Sequence, residues 1–499
     1  MNMNENLLIN DILYSLNNRP NNIAFVIKDK KYSYGELKEK IQSVLFNITC
    51  INKTIGIISE DDIHTYAAIL AVLISGNTYV ILHPSYPAER NRKMIASAGI
   101  SLVLGNSSRP DYIDNEIVFL NICKASIIEL QQDLSAKGEY NSIAYIIFTS
   151  GSTGEPKGVP ISRSNLDAFY HSYKQLHWDL NESDKMLQMF ELTFDVSVVS
   201  FLYPLTLGAS IYTVGQKDIK HFKVASLLED ESLTFAAVTP SLLQLLSPYF
   251  EDIHLPRLKY LIVAAEASQV EVISKFRKCA PHATFVNLYG PTEATIYCCS
   301  YKIPKEDIKE YNGMIAIGHP FTGTEAVIVD EKGKRKAIGE KGELLISGPQ
   351  VMDGYLNNPE KTSEVMIESP SGEKFYKTGD LCIMDEEGDI FYCGRKDHQV
   401  KIQGFRIELS EIENTTKRFF NFSRNAIAIT YCQQGTGDSI ALIIEGREGI
   451  DTEELKVYIQ RELPYYMIPR EIQFFDKFPI NNSNKIDRVK IKELFNLFN

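Results

Sequence analysis

Residues 145–159, YIIFTSGSTGEPKGV, combine side chains that hold a phosphate group with a backbone that such a group can approach. Hydroxyl groups and glycines fill positions 149–156, and Lys157 follows them. Glycine lets backbone N–H groups come close to a ligand, hydroxyls donate hydrogen bonds, and the ammonium supplies a point charge. The four apolar residues before the loop are typical of a buried strand. We therefore predict a strand that ends in a phosphate-binding loop.

This loop is not spaced as a P-loop. That motif reads GxxxxGK[ST] and opens a helix, whereas Lys157 is followed here by Gly158, Val159 and Pro160. No hydroxyl that could bind magnesium follows the lysine, and the proline disfavours a helix at that point. A plain exposed turn is the remaining explanation, and it accounts poorly for a run of this length and organisation.

The composition is that of a globular protein large enough for more than one structural unit. The chain has 499 residues, of which 44% are hydrophobic and 23% charged, and its net charge is −12. A negative net charge does not favour binding to nucleic acid or to an anionic membrane. No stretch reads as a signal peptide or a membrane span, and the 8 cysteines lack CxxC or metal-ligand spacing. We expect a cytoplasmic protein with reduced cysteines and with no nucleic-acid or membrane partner.

Strand-like and amphipathic helical segments alternate from the start of the chain to about residue 390. Runs such as TIGIISE, NTYVILHP, TFAAVTP, LKYLIVAAE and ATFVNLYG read as buried strands. This alternation predicts an α/β fold with largely parallel sheets. Between residues 315 and 393, short strands broken by turns indicate a small barrel or antiparallel sheet.

The pattern changes again after GRKDHQ, where strand and helix segments suggest a small α+β domain. We predict an N-terminal domain over residues 1–396, with two mixed sheets flanked by helices and a β-barrel-like part at 315–393. A mobile α+β lid domain would cover residues 397–499. Ser410 followed by Glu413 has the spacing of a helix cap.

Four further motifs, taken with the phosphate loop, resemble the adenylate-forming (ANL) enzyme superfamily. They are NLYGPTEATI at 287–296, YKTGDL at 376–381, GRKDHQVKIQGFRIELSEIE at 394–413 and FPINNSNKIDR at 478–488. With YSYGEL at 32–37, the match covers nearly the whole chain. The chain is most similar to stand-alone amino-acid adenylation domains of the non-ribosomal peptide synthetase and D-alanine carrier protein ligase type.

The resemblance implies a two-step reaction that uses ATP and Mg²⁺. A carboxylate attacks the α-phosphate of ATP to give an acyl-adenylate and pyrophosphate. The phosphopantetheine thiol of a separate peptidyl carrier protein then accepts the acyl group. Such chemistry needs positioning and charge neutralisation and no covalent enzyme intermediate, and we identify no Ser–His or Cys–His nucleophile pair.

The resemblance also assigns the nucleotide-binding residues. Those for the β- and γ-phosphates are Thr149, Ser150, Gly151, Ser152, Thr153, Gly154 and Lys157. Those for the nucleoside are Asn287, Tyr289, Gly290 and Asp380, and Arg395 would add a second ribose or phosphate contact. Within this second set Tyr289 would lie against adenine and Asp380 would accept both ribose hydroxyls, since a carboxylate has two acceptor oxygens.

Three residues would carry the chemistry. Thr292 would contact the α-phosphate, Glu293 would bind Mg²⁺ as a hard oxygen ligand, and Lys485 would neutralise the charge that develops at the adenylate. Relatives have glycine before this lysine and this chain has Asn484, a residue that tolerates left-handed backbone angles. Asp397 matches the hinge about which the small domain rotates between adenylation and thiol transfer.

Asp195 in the segment FDVSV indicates the kind of substrate. Amino-acid-activating relatives pair this carboxylate with the substrate's α-ammonium, and a partly buried carboxylate is costly without such a cation. The other pocket positions implied by the resemblance are Val196, Val199, Ala237, Ile262, Ala264, Leu288, Ile296 and Tyr297. None is charged, so we expect a small to medium apolar amino acid. Proline is favoured, and alanine, valine, glycine and cysteine remain open.

Two departures from the family pattern qualify this prediction. Ala265 stands where relatives have a glycine near the adenylate, and His83 stands where an aspartate is common. Two other functions also remain open. An acyl- or aryl-CoA ligase is disfavoured by Asp195, and a non-catalytic nucleotide-binding regulator is disfavoured because the catalytic positions are intact.

Overall fold

The computed structural model describes residues 6–123, 133–151, 155–369, 371–433, 437–446, 452–480 and 486–498. Within these ranges the strands form several sheets that are covered by helices, as the predicted α/β class requires. None of the helices in these ranges has both the length and the apolar character needed to cross a bilayer.

The described ranges contain α-helices from end to end of the chain. They are α1 (Leu7–Asn18), α2 (Tyr34–Asn47), α3 (Ile63–Ile74), α4 (Ala88–Ser97), α5 (Arg163–Lys174), α6 (Asp195–Leu207), α7 (Lys220–Asp230), α8 (Pro240–Leu246), α9 (Val270–Phe276), α10 (Pro359–Val365), α11 (Leu409–Phe419), α12 (Thr452–Glu462) and α13 (Arg488–Phe498). Short 3₁₀ helices lie at Ser247–Tyr249, Thr292–Ala294 and Tyr465–Met467.

The largest sheet has nine strands in the described residues, and its centre is parallel. Its strands are β1 (Ile23–Ile27), β2 (Lys30–Ser33), β9 (Lys185–Gln188), β10 (Ser210–Thr213), β11 (Phe235–Val238), β12 (Tyr260–Ala264), β13 (Thr284–Tyr289), β14 (Cys299–Ile303) and β17 (His319–Pro320). Their order is β17-β14-β13-β12-β11-β9-β10-β1-β2. Only the outer pairs β1/β2, β13/β14 and β14/β17 are antiparallel within the described ranges.

A second, six-stranded sheet is built in the same way from the N-terminal third of the described chain. Its strands are β3 (Thr54–Ile58), β4 (Thr78–Leu82), β5 (Leu102–Gly105), β6 (Val118–Asn121), β7 (Ile143–Thr149) and β8 (Lys157–Ser162). Their order is β6-β5-β3-β4-β7-β8, and β7 and β8 pair antiparallel with Thr149 opposite Lys157. The phosphate loop therefore joins two strands and does not open a helix.

The region predicted as a small barrel contains a five-stranded antiparallel sheet. It consists of β18 (Glu325–Val329), β19 (Gly342–Ser347), β20 (Met366–Glu368), β21 (Lys374–Met384) and β22 (Ile390–Arg395). The short strands β15 (Glu310–Tyr311) and β16 (Met314–Ile315) pair beside it.

After residue 396 the described chain forms a hairpin and a small sheet. The hairpin pairs β23 (Gln399–Ile402) with β24 (Phe405–Glu408), and the sheet joins β25 (Ala426–Gln433), β26 (Gly437–Glu445) and β27 (Glu471–Phe475). Alternate side chains of this sheet enter two separate apolar clusters, so both of its faces are covered. The domain boundary at residues 396 and 397 lies between β22 and β23 and stays a prediction.

Two helices that are apolar on nearly all sides, α3 and α6, share one core cluster with residues of both large sheets. A helix that is hydrophobic all round is stable only where it is buried. These helices therefore fix the two sheets against each other. Because α6 begins at Asp195, the same packing positions the predicted substrate carboxylate.

The predicted cap at Ser410 is wrong. Helix α11 begins at Leu409 with Glu408 in the N-cap position, so Ser410 lies inside the first turn. Glu413 instead accepts a hydrogen bond from the Ala428 N–H and forms an ion pair with Arg488. Ser410 and Glu413 have the spacing of a cap, but the glutamate side chain binds Ala428 and Arg488 from other parts of the fold.

Candidate active site

The predicted site residues lie where strands of the two large sheets end. The phosphate loop follows β7, Ala265 and Glu266 follow β12, and the segment from Gly290 follows β13. Ligands of open parallel sheets bind beyond the carboxyl ends of their strands. The ends come close together, since the Nζ of Lys157 lies 3.5 Å from Oε1 of Glu293.

The backbone after β13 is tightly folded. A Cβ at Gly290 would lie 2.4 Å from the carbonyl oxygen of Ile296, so only glycine fits there. Ala265 and Ile296 both have φ of 72°, a left-handed conformation that side chains rarely adopt. Ala265 thus has a left-handed backbone conformation that glycine usually adopts. Strained backbone of this kind persists where the surrounding structure holds it, often at functional sites.

Glu293 lies fully buried at the centre of a charged cluster. Its Oε1 accepts a hydrogen bond from the Tyr355 hydroxyl at 2.8 Å, and its Oε2 accepts one from Nη1 of Arg406 at 2.8 Å. Lys157 donates to the Tyr355 hydroxyl at 3.0 Å and lies 4.1 Å from the centroid of that ring. Glu293 therefore faces two cations, Lys157 and Arg406, and the nearby Glu408 also acts electrostatically on both.

The pKa values in this cluster follow from burial and from the ion pairs. Burial alone would raise the pKa of Glu293, but Arg406 and Lys157 outweigh it and hold that pKa well below its usual range. Burial lowers the pKa of Lys157 to about 8, although Glu293 opposes the shift. Glu293 is therefore ionised over the physiological pH range.

A second cluster joins Tyr289 to the segment after β22. Tyr289 donates its hydroxyl proton to Oδ2 of the buried Asp380, and Nη1 of Arg395 donates to Oδ1 at 2.7 Å. Arg395 also binds Asp397 with two parallel hydrogen bonds of 2.7 Å each. The predicted ribose carboxylate, the predicted adenine contact and the predicted hinge residue are thus connected in the structure. Asn287 lies beside them, where Ser268 and the Ala316 carbonyl bind its amide group.

The β23–β24 hairpin packs on this site. The Gly404 N–H donates to Glu266 at 2.7 Å. Ser150 donates to the Arg406 carbonyl at 3.1 Å and accepts from the Glu408 N–H at 3.2 Å. Ser150, predicted to bind phosphate, therefore binds the hairpin in this arrangement.

Three cavities adjoin the two clusters, and Arg395 and Gln399 line all of them. A cavity of ≈ 530 Å³ extends from Gly151 and Lys157 to Asp397. A cavity of ≈ 270 Å³ lies beside Tyr289. A third, of ≈ 60 Å³, is lined by Asp195.

Asp195 is partly buried in the smallest cavity, at the first residue of α6. Thr292, Asp380 and Lys401 line the same cavity. Burial raises the pKa of Asp195 to about 6, while the Thr292 hydroxyl and the N-terminal backbone of the helix favour the charged form. A carboxylate in such surroundings is suited to a cationic ligand.

The apolar positions predicted for the pocket share one core cluster with this cavity. Val196, Ile296 and Tyr297 line the cavity. Val199, Ala237, Ile262, Ala264 and Leu288 belong with them to the same buried cluster. Parallel pairing places Ala237 next to Ile262, and Ala264 next to Leu288. Among the described residues, no group binds the buried hydroxyl of Tyr297.

Ser152, Thr153, Gly154 and Lys485 lie outside the described residues. The roles given to all the site residues remain predictions. Most of the described ones line the three adjoining cavities. The described ones that do not are Thr149, Ser150, Val199, Ala237, Ile262, Ala264 and Glu293.

The structure adds four residues to the site that the sequence analysis did not single out. Lys401 and Arg406 lie within the motif at 394–413, where only Arg395 and Asp397 were assigned roles. Glu266 follows the flagged Ala265, and Tyr355 lies in VMDGYLNN, which was not considered. Lys401 and Arg406 could have been predicted as site residues, because both are charged and lie in a motif that contains glycines.

Comparison with known proteins agrees with the motifs. The family model for AMP-binding enzymes matches residues 14–356. The chain is 32% identical over 490 residues to gramicidin S synthase 1 of Brevibacillus brevis, covering 95% of this chain and 43% of that protein. It is 32% identical over 492 residues to zwittermicin A synthase ZmaJ of Bacillus cereus, covering 94% of this chain and 91% of that protein. The chain spans less than half the length of the first relatives that it matches, and only 13% of the length of tyrocidine synthase 2.

Solved structures share the fold. The Vibrio cholerae adenylation domain AlmE, in complex with glycyl-adenosine-5'-phosphate, matches with a TM-score of 0.86 and 24% identity, covering 98% of both chains. PA1221, described as a protein with adenylation and PCP domains, matches with a TM-score of 0.83 and 21% identity, covering 98% of this chain and 84% of that one. The predicted fold class is confirmed. From the family model and from relatives above 30% identity along nearly its whole length, the chain belongs to the AMP-binding enzymes, the adenylate-forming ligases that its motifs predicted.

Proposed function

We propose that this enzyme activates a small apolar amino acid and loads it onto a carrier protein. The amino-acid carboxylate attacks the α-phosphorus of ATP, and the bond from that phosphorus to pyrophosphate breaks. The phosphopantetheine thiolate of a separate peptidyl carrier protein then attacks the carbonyl carbon, and AMP leaves.

One observation carries the proposal: Asp195, Thr292 and Asp380 line the same cavity. An ammonium paired with Asp195 would direct the substrate's carboxylate toward Thr292, where the α-phosphate is expected. A fatty or aromatic acid brings no cation to pair with a carboxylate in this position, and burying one unpaired is costly. AlmE, which has the same fold, holds a glycyl-adenylate, which supports an aminoacyl-adenylate as the intermediate here.

ATP fits the two clusters. Asp380 accepts from Tyr289 and Arg395, and a carboxylate has acceptor capacity left for ribose hydroxyls. Lys157 would bind the β- and γ-phosphates from the edge of the ≈ 530 Å³ cavity. Among the described residues, this arrangement explains why two cations face the buried Glu293.

Mg²⁺ fits this site through one protein ligand. Glu293 is ionised, and its oxygens accept hydrogen bonds from Arg406 and from the Tyr355 hydroxyl. No group of three potential metal ligands occurs in the described part of the chain. Magnesium commonly takes one or two carboxylates together with substrate phosphates and water. Bound there, it would neutralise phosphate charge.

The carrier protein and the domain rotation belong to the same proposal. PA1221 contains adenylation and PCP domains, which supports a peptidyl carrier protein as partner. The lid over residues 397–499 would rotate about Asp397 between the two steps. Since Asp397 binds Arg395 through two hydrogen bonds, a rotation at this point must break or reorient that pair.

The size of the pocket favours a substrate with a small side chain. The cavity at Asp195 measures ≈ 60 Å³, and the core cluster that includes its lining residues Val196 and Tyr297 also contains the small residues Ala237 and Ala264. We propose proline first, with alanine, valine, glycine and cysteine as alternatives.

Pyrophosphate exchange into ATP, measured with all proteinogenic amino acids in both enantiomers, tests the proposal. We expect exchange with a small apolar L-amino acid. Exchange with fatty or aromatic acids and not with amino acids would instead establish an acyl- or aryl-CoA ligase. No exchange with any acid would favour a non-catalytic nucleotide-binding protein.

Enlarging Ala264 to leucine should exclude proline and valine while sparing glycine. Ala264 is fully buried next to Leu288 and shares a core cluster with Val196 and Tyr297, which line the cavity, so we expect the added atoms to crowd the pocket. We expect exchange with the larger substrates to fall by about tenfold or more relative to glycine. Comparison of substrates within one variant is the control, because a general loss of stability would lower exchange with all of them equally.

A further inference from the structure

A fourth cavity, which none of the predicted site residues lines, adjoins the site. It measures ≈ 660 Å³ and shares Phe190 with the cavity of Asp195. Phe405 lines the larger cavity and packs on Phe194, which lines the smaller one, with ring centroids 4.9 Å apart. A second substrate in the larger cavity would therefore lie close to a carboxyl group that is activated beside Asp195.

Glu191 lines this fourth cavity with one carboxylate oxygen unpaired. Its Oε1 accepts a hydrogen bond from the Tyr465 hydroxyl. Its Oε2 is buried and has no hydrogen-bond partner among the described residues, and Nε2 of His83 lies 3.8 Å away, beyond hydrogen-bond distance. The Glu191 carbonyl accepts from the Phe194 N–H at 2.9 Å, which holds the residue just before Asp195. Buried acceptors without a partner are rare, and catalytic groups are among the exceptions.

The neighbouring His83 is not placed to act as a base. Its Nδ1 accepts a hydrogen bond from the Ser85 N–H at 3.2 Å, so the proton of the neutral ring is on Nε2. Burial lowers the pKa of His83, which favours this neutral form. The ring can therefore donate toward Glu191 and has no free nitrogen that could take up a proton.

The other titratable groups that act on Glu191 come from three parts of the fold. Besides His83, they are Tyr86 after β4, Lys220 at the start of α7, and Tyr465 and Tyr466 in the 3₁₀ helix Tyr465–Met467. Burial raises the pKa of each of these tyrosines, so they stay protonated over the physiological pH range. The tyrosines therefore cannot take up a proton from a ligand in this cavity.

We infer that Glu191 is a catalytic residue of the second step, in which its Oε2 accepts the proton of the phosphopantetheine thiol. The S–H bond breaks as the sulfur attacks the carbonyl carbon. The C–S bond forms, the bond from that carbon to AMP breaks with its electron pair on AMP, and the proton passes from Glu191 to water. The inference rests on the proposed function, which supplies the adenylate and the thiol. A thiol with a pKa of about 8.5 is largely protonated at pH 7, so a positioned base raises the rate.

Glu191→Gln tests this role, because it keeps the shape of the side chain and removes the base. We expect transfer from a supplied aminoacyl-adenylate to pantetheine to fall about a hundredfold at pH 7, the lower end of general-base effects. With 4-nitrothiophenol, a thiol that is ionised at neutral pH, the variant should transfer as fast as wild type. Equal losses with both thiols, or no loss with pantetheine, would overturn the inference.

The pH dependence of transfer to pantetheine is a second readout, which a merely structural role would not change. Without the base only the thiolate reacts, so the rate of Glu191→Gln should rise about tenfold per pH unit up to the thiol pKa of about 8.5. The wild-type rate should rise much less over the same range. The same slope in both proteins would contradict the role of Glu191.

Two control variants separate proton transfer from other effects of the carboxylate. Tyr465→Phe removes the hydrogen bond to Oε1 and keeps the carboxylate. Asp218→Asn removes another carboxylate that lines the same cavity, where it accepts from the Gly215 N–H. Both variants should transfer to pantetheine at about the wild-type rate. A hundredfold loss in either would mean that Glu191 acts through its contact with Tyr465 or through the charge of the cavity, and the inference would be wrong.

Pyrophosphate exchange in the wild-type enzyme separates this inference from the proposed function. If wild type shows no exchange with any amino acid, the proposed function fails and the inference fails with it. If wild type exchanges and transfers, and Glu191→Gln transfers to pantetheine equally fast, only the role of Glu191 is refuted.

Discussion

Replacing Asp195 by alanine should lower amino-acid-dependent pyrophosphate exchange by about a hundredfold or more. The substrate ammonium would then enter a confined cavity without its counter-charge, and truncating one partner of a buried charge pair costs roughly 3 kcal/mol or more. Asp195 opens α6, whose other residues pack between the two large sheets, so the fold does not depend on its carboxylate. Pyrophosphate exchange with the preferred amino acid measures the effect.

The matched control for Asp195→Ala is a deaminated acid of the same shape as the substrate. It has no ammonium to lose, so the variant should activate it about as well as wild type does. Equal losses for both compounds would mean that Asp195 supports the pocket and does not recognise the amine.

The pH dependence of KM gives an independent measure of the role of the Asp195 carboxylate. Because burial raises the pKa of Asp195 to about 6, its charge is present above that pH and is lost below it. The KM for the amino acid should therefore rise as pH falls through about 6 in wild type and not in the variant.

The strands that carry the site could be predicted from the sequence because they are short apolar runs followed by glycines and polar residues. Thr149, Ala264 and Tyr289 each end such a run and each ends a strand. The alternation of these runs with helices also predicted that the strands would be largely parallel, which brings their carboxyl ends together.

The partners of Glu293 could not be predicted in this way. Tyr355 is 62 residues away in the chain and Arg406 is 113 residues away. Nothing local in the sequence selects them, because their contact with Glu293 depends on how three separate sheets and a hairpin pack. The same is true of Ser150, whose hydroxyl suits a phosphate by type but binds the hairpin backbone here. Residue type predicted the chemistry, whereas the packing decides which partner is bound.

The arrangement of the C-terminal sheet gives a reason why Lys485 should act in only one of the two proposed steps. Ile486, the residue after it, packs in the cluster formed by Ile427 and Ile429, whereas the cluster on the other face includes Phe405 of the docked hairpin and Phe194. The described chain next to Lys485 thus lies on the face turned away from the site. In the proposed mechanism, the rotation about Asp397 brings this lysine to the adenylate and undocks the hairpin.

Lys485→Ala should therefore lower adenylation about a hundredfold while leaving thiol transfer largely intact. Loss of one preorganised charge contact to the transition state costs roughly 3 kcal/mol, and in the proposed transfer arrangement the lysine is not needed. Pyrophosphate exchange measures the first step, and transfer from a supplied aminoacyl-adenylate to phosphopantetheine measures the second. Lys490→Ala is the matched control, since Lys490 is exposed and pairs with Glu493, and both of its rates should be those of wild type. If Lys485→Ala lost both activities equally, the lysine would not be confined to the adenylation arrangement, and the rotation about Asp397 would lose its main functional argument.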